Sequence, residues 1–144
     1  MAKRIFDILF SIIGLIFFSP CFIIVSILIK IDSKGPVFFL QGRVGRNGVL
    51  FKIIKFRSMI TDQNYNSTIT TANDNRITTI GKIIRKLKID ELPELLNILI
   101  GNMSFVGPRP DVPGYADLLN GEDRVILKLR PGITSLASLK YINE

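Results

Sequence analysis

The sequence predicts an α+β protein in which a proline-broken apolar helix precedes a small, mainly helical domain containing a β-hairpin and an amphipathic helix. Three observations carry that expectation. An apolar run from Ile5 to Ile31 is interrupted by charge only at Asp7 and Lys30. Two short β-type runs flank an Asn47-Gly48 pair, a hairpin turn signal. Beyond Arg76, isoleucines and a leucine recur at helical spacing with lysines and arginines between them.

The apolar run comes first. About 20 apolar residues cross a bilayer, so residues 5–31 are long enough to anchor in a membrane. A cleaved signal peptide would be shorter and end in a small-x-small site, which is missing here. Lys3 and Arg4 precede the run and Lys30 and Lys34 end it, so positive charge draws both flanks toward the cytoplasm. Ser19-Pro20 lies near its midpoint, where proline removes a backbone donor and breaks or kinks a helix. Chain physics leaves two topologies open: a helix that enters and returns on one face, or a kinked single pass. The expected organisation is an anchor over residues 1–33 and a domain over residues 34–144.

Within that domain, Val37–Leu40 and Val49–Phe56 read as strands joined through Gly42–Gly48. Residues 62–75, rich in Asn, Thr and Ser, read as a surface loop. From Arg76 to Lys88, Ile77, Ile80, Ile83, Ile84 and Leu87 share a helical face, leaving Lys82, Arg85, Lys86 and Lys88 largely outside it. Such a helix packs on a core or lies among lipid headgroups. Leu92–Ile100 reads as a further helix, with Pro93 in its first turn and Gly101 at its stop.

Composition limits the chemistry. The chain has 144 residues, 19 Lys and Arg against 12 Asp and Glu, no His, and one cysteine, Cys21. Imidazole catalysis, His metal sites and internal disulfides are therefore excluded. A net charge of +7 accompanies 47% hydrophobic residues, and the charge is uneven. Residues 34–88 hold eleven bases and two acids, whereas residues 89–144 hold five bases and eight acids. The basic block directly follows the apolar run, where anionic headgroups or a polyanionic substrate would meet it.

Asp90-Glu91 puts two carboxylates at the start of the expected 92–100 helix, where free N–H groups and the dipole favour ionised groups. Asp is also a preferred N-cap, so spacing leaves a cap and a reactive carboxylate both open. Arg109, held between Pro108 and Pro110, presents a guanidinium with little entropy to lose and suits bidentate phosphate binding. Lys55 and Arg57 end a strand, and Arg85 precedes the acidic pair. Together, these cations beside an apolar anchor point to an anionic substrate such as a phosphorylated lipid or a nucleotide diphosphate.

In order, Lys3–Asp7, Ser19-Pro20, Gly35–Phe39, Gln41–Gly45, Lys55–Met59, Asp90–Asn97, Gly101–Pro110 and Arg130–Thr134 resemble the bacterial sugar transferases, the small monotopic polyprenol-phosphate phosphoglycosyl transferases. The resemblance covers nearly the whole chain. It implies a re-entrant helix broken at Ser19-Pro20 in the cytoplasmic leaflet of the bacterial inner membrane, and a catalytic domain facing the cytoplasm. It implies transfer of a sugar-1-phosphate from a UDP-sugar to undecaprenyl phosphate, with Mg²⁺ and release of UMP, as the first membrane step of a surface-glycan pathway. Asp90 would be the nucleophile forming a covalent phosphosugar intermediate, and Glu91 its metal-site or acid–base partner. Arg85 and the Pro108-Arg109-Pro110 loop would bind phosphates and nucleotide, beside Lys55 and Arg57.

Two features depart from the family pattern. Ser135–Ser138 stands where many members have Gly-Trp, and the sequence ends at Glu144 where members usually continue. The expectation is therefore a domain short of its usual C-terminal end. The alternative reading is a non-catalytic membrane-anchored fragment or scaffold. The apolar segment and the absence of Trp argue against nucleic acid as a partner. Neither the sugar nor the pathway is named by these residues, and a homodimer is compatible with them.

Overall fold

The computed structural model describes residues 2–60 and 74–135. Most of the expected 62–75 loop, and Leu136, Ala137 and Ser138, lie outside the described residues. The fold is α+β. Helices α1 (Ala2–Phe17) and α2 (Ser19–Asp32) are followed by strands β1 (Phe38–Val44) and β2 (Leu50–Phe56). Then come α3 (Thr79–Lys86), α4 (Glu94–Ile100), β3 (Ser104–Val106) and β4 (Gly132–Thr134). β1 pairs with β2, and β3 runs parallel to β4 with Ser104 opposite Gly132 and Val106 opposite Thr134.

The helix break falls at Phe18, one residue before the Ser19-Pro20 pair that predicts it. Pro20 sits in the first turn of α2, where its missing N–H leaves nothing unsatisfied. A continuous helix would drive its ring into the carbonyl four residues earlier. No single helix among the described residues is long and apolar enough to cross a membrane. The two together reach that length and composition, and the pair bends by 59° at the break.

The first strand of the hairpin is longer than expected. β1 continues through Gln41–Val44, a stretch expected to be loop, because the turn tightens onto Arg46–Gly48. There Asn47 and Gly48 both adopt positive φ (60° and 80°), the conformation an Asn-Gly pair tolerates. α3 begins three residues later than the 76–88 periodicity predicts, since Thr78 caps it by accepting from Gly81 N–H. Only Ile80 and Ile84 of the apolar stripe enter a core; Ile83 and Leu87 are exposed.

The chain forms two compact units. The first gathers Met1–Phe17, Leu40–Ile54 and Glu94–Glu144. Its core is Ile53, Leu95, Ile98 and Met103, with Leu15, Phe51, Phe105 and Ile133 around it. Fully buried Asn97 joins β2 to α4: its side-chain oxygen accepts from Ile54 N–H at 2.9 Å and its amide donates to the Lys52 carbonyl at 2.8 Å. One amide thus satisfies two backbone groups of a strand edge, as a neighbouring strand would.

In this unit α1 is amphipathic in the inverse sense. Asp7 (3% exposed) and Ser11 (0%) are its buried residues, whereas Ile5, Leu9, Ile13, Ile16 and Phe17 are exposed. Asp7 accepts from Ser104 Oγ and Phe105 N–H at 3.1 and 3.2 Å. Arg4 donates to the Ile98 and Leu99 carbonyls at 2.6 and 2.8 Å, satisfying the open end of α4. Lys3 donates to the Val106 carbonyl. The N-terminal cations therefore have structural partners within the first unit.

The second unit gathers Phe18–Phe39 and Lys55–Pro93. Val25 and Ile29 of α2, Phe56 of β2 and Ile84 of α3 form its core. The Phe56 ring lies 5.1 Å from that of Phe22 and 5.4 Å from that of Phe38. Asp32, at the end of α2, accepts from Ile80 N–H at 2.9 Å and so supplements the Thr78 cap. A Cβ at Gly81 would overlap the Ser58 carbonyl, so only glycine lets α3 approach that closely.

Asp7→Ala should cost about 1–3 kcal/mol, because Ser104 Oγ–H and Phe105 N–H would lose a buried acceptor. Ile5→Ala, at an exposed apolar position, should shift stability in detergent by under about 0.5 kcal/mol. Thermal unfolding in micelles followed by circular dichroism measures both, and equal losses would contradict the inverted assignment of α1.

Candidate active site

Asp90 and Glu91 belong to a single 3₁₀ turn, Ile89–Glu91, set between α3 and α4 within the second unit. α4 itself starts at Glu94, after Leu92 and Pro93. The pair is thus not in the first turn of the following helix, as spacing predicts, and Asp90 is not its cap. Lys88 makes the turn by adopting the left-handed region at φ 57°, a conformation costly for a residue with a Cβ. No glycine marks this reversal in the sequence, so nothing local announces it.

The two carboxylates have different surroundings. Glu91 Oε1 pairs with Lys55 Nζ at 2.8 Å, both side chains being partly exposed. Asp90 Oδ1 is buried and accepts no hydrogen bond among the described residues. Burial, and next the neighbouring Glu91 charge, push the Asp90 carboxyl above its ordinary range; Lys55, Arg85 and Lys88 pull the other way without overcoming this. The helix-dipole expectation of a favoured anion is therefore reversed by desolvation. An unmatched, half-desolvated carboxylate is costly unless a cation or an electrophile meets it.

These residues also fit a divalent cation. Mg²⁺ is commonly held by one or two carboxylates together with substrate phosphates, and Asp90 and Glu91 supply two carboxylates with one buried oxygen open. Among the described residues no third Asp, Glu, His or Cys joins them.

Lys55 and Arg85 thus share the second unit with Asp90 and lie within electrostatic reach of it. Arg57 is held by the fold. It is 3% exposed, and its guanidinium donates to the Ser33 carbonyl, Ser33 Oγ and the Lys34 carbonyl at 2.7–2.9 Å. Its two terminal nitrogens hold the chain just beyond α2, and its buried Nε has no partner among the described residues.

Arg109, Pro108 and Pro110 belong to the first unit. Arg109 is exposed and Pro110 buried. Two residues escaped the sequence reading. Arg43 lies in the Gln41–Gly45 motif, which the resemblance used without giving it a role. Glu94 is 3% exposed at the start of α4, and its neighbours Asp90 and Glu91 drew the attention that its own burial warrants.

Comparison with known proteins gives consistent results. A model of the family described as bacterial sugar transferase matches residues 1–144. The exopolysaccharide production protein ExoY of Rhizobium meliloti (strain 1021) is 38% identical over 160 residues, covering 100% of this chain and 71% of ExoY. The UDP-N-acetylgalactosamine-undecaprenyl-phosphate N-acetylgalactosaminephosphotransferase of Aeromonas hydrophila is 42% identical, covering 96% of this chain and 34% of that protein. The UDP-glucose:undecaprenyl-phosphate glucose-1-phosphate transferase of Klebsiella pneumoniae is also 42% identical, covering 95% of this chain and 30% of that protein.

A carboxyl whose folded pKa is raised weakens the fold as pH rises through and above its unfolded value of about 4. Asp90→Asn should therefore melt higher than the wild type at neutral pH, by on the order of a few degrees. The difference should shrink as pH falls toward about 4. Melting curves of both proteins across pH 4–8 measure it.

Proposed function

The chain belongs to the bacterial sugar transferase family, and we propose that it transfers a sugar-1-phosphate from a UDP-sugar to undecaprenyl phosphate, releasing UMP. The observation that carries this reading is the contrast within the acidic pair: Glu91 is tethered by Lys55, while Asp90 holds a buried oxygen with no partner among the described residues. The names of two relatives describe transfer to undecaprenyl phosphate, which supports the acceptor.

In this mechanism the Asp90 carboxylate attacks the phosphorus that bears the sugar. An Asp90 O–P bond forms, the P–O bond to the nucleotide breaks, and the electron pair leaves on UMP. An oxygen of the lipid phosphate then attacks the same phosphorus and returns the carboxylate. Two in-line displacements of this kind need no imidazole, in keeping with a chain that has no His. Burial weakens the hydration of Asp90 and so favours its reaction with an electrophile. Lys55 fixes Glu91, and Arg85 contributes positive charge for the phosphoryl group. Mg²⁺, held through Asp90 and Glu91, would neutralise charge on the transferring group.

The membrane reading rests on the exposed apolar faces. α1 hides Asp7 and Ser11 and shows Ile16 and Phe17, more than two thirds exposed; α2 shows Ile23, Ile24, Ile27 and Ile31. Apolar surface exposed on each helix in this way belongs against lipid. We read the broken pair as a re-entrant anchor in the inner leaflet of the bacterial cytoplasmic membrane. α3, with exposed Ile83 and Leu87 beside Lys82, Lys86 and Lys88, lies among anionic headgroups. An anchored enzyme then brings a soluble nucleotide sugar and a membrane-bound phosphate to one place.

Asp90→Asn should abolish UMP release from UDP-sugars supplied with polyprenyl phosphate in nanodiscs, a loss of several orders of magnitude; wild-type rates in that variant would overturn the nucleophile. Failure of the wild-type protein with every UDP-sugar would favour the non-catalytic reading. For topology, single cysteines at positions 2 and 34 in a protein lacking Cys21 should be labelled from the same side of sealed vesicles. Labelling from opposite sides would replace the re-entrant anchor with a spanning helix.

A further inference from the structure

The loop that carries Arg109 is tied down on both sides by backbone groups of the first unit. Gly132 N–H donates to the Pro108 carbonyl at 2.8 Å, and Val44 N–H donates to the Asp111 carbonyl at 2.9 Å. Between these ties, Arg43 Nη1 donates to the Pro110 carbonyl at 3.3 Å, while its Nη2 donates to Gln41 Oε1 at 2.8 Å. Three consecutive-to-alternate carbonyls are thus held around one exposed side chain, Arg109, whose flanking prolines already restrict the backbone. The result is a guanidinium presented on a rigid loop.

Arg43 does more than hold that loop. It is only partly exposed, and its Nε–H is buried with no acceptor among the described residues. Burial, and then the charge of Arg109, hold the Arg43 guanidinium below its ordinary range, with Asp111 and Glu94 acting in the opposite direction. The Arg43 guanidinium, bonded to the carbonyl of the residue after Arg109, thus feels a second positive charge while one of its donors stays buried and open. An anion relieves both the repulsion and the missing acceptor.

We propose that Arg43 and Arg109 form a two-guanidinium site in the first unit for the phosphate or diphosphate group of a ligand, with Arg43 as the positioning residue that holds the Arg109 loop and adds its charge. This deepens the transferase reading and rests on it for the kind of ligand. Phosphate chemistry reaches such an enzyme from two sources, the nucleotide diphosphate and the lipid phosphate.

The test is equilibrium binding of UDP and, separately, of farnesyl phosphate to the full chain in nanodiscs. Arg43→Gln should weaken one of the two by about tenfold to a hundredfold, the scale of a charge-assisted hydrogen bond. It should also flatten the salt dependence, while Arg43→Lys, which keeps the charge but not the fork, should restore part of the loss. Loss confined to UDP assigns the site to the nucleotide, and loss confined to farnesyl phosphate assigns it to the lipid. Unchanged affinity for both overturns the proposal. If Arg43→Gln fails to fold, a cycle of Arg43→Lys and Arg109→Lys replaces it. Non-additive losses support a shared site, and additive or absent losses overturn it. Binding is read without turnover, so a protein that transfers no sugar can still bear the site out. Conversely, normal transfer with unchanged affinities in Arg43→Gln removes the site and leaves the transferase reading standing.

Discussion

Asp7 accepts from Ser104 Oγ and Phe105 N–H in a place with almost no access to solvent, and α1 is oriented by that need. A carboxylate on an apolar helix must find donors when buried, and β3 supplies them. Arg4, one turn away, then reaches the open carbonyls of α4, and Lys3 reaches Val106. With Asp7 and Ser11 turned inward, α1 beyond its first turn presents Ile, Leu and Phe outward. The apolar exterior of α1 is the consequence of its polar interior.

The second unit obeys a related constraint at the other end of the broken pair. α2 ends at Asp32, which caps α3, and at Ser33, whose carbonyl and hydroxyl Arg57 occupies. Val25 and Ile29 meet Ile84 in one core, with Ile89 and Leu92 packed at its edge. The 3₁₀ turn that carries Asp90 and Glu91 is therefore built on the same cluster as α2. Packing fixes the turn, Lys55 holds Glu91, and Asp90 is left with a buried oxygen that has no partner among the described residues.

Much of this was legible in the chain. The break near Pro20, the Asn47-Gly48 turn, the stop at Gly101 and the rigidity of the Arg109 loop are local consequences of proline and glycine. The backbone partners of Arg57 at Ser33 and Lys34 are not legible in sequence, because a cation at a strand end looks the same whether it faces a ligand or a helix terminus. Arg43 was passed over for the converse reason: its partners, the Pro110 carbonyl and Arg109, lie more than sixty positions away. The helix-dipole argument for Asp90 failed because Lys88 turns the chain early and detaches the acidic pair from α4.

What the sequence by itself determined is the set of ingredients: a long apolar run broken at one place, a basic block beyond it, an acidic pair, and no histidine to share the chemistry. These depend on residue identity and short spacing, which a chain displays directly. What only the tertiary structure decided is which polar groups are spent on the fold and which remain open. Asp7, Arg4 and Asn97 are consumed by distant groups of the fold, whereas Asp90 Oδ1, Arg43 Nε and Arg57 Nε have no partner among the described residues. That division is set by burial and by hydrogen bonds between residues remote in sequence, and desolvation acts on groups only once the fold has enclosed them.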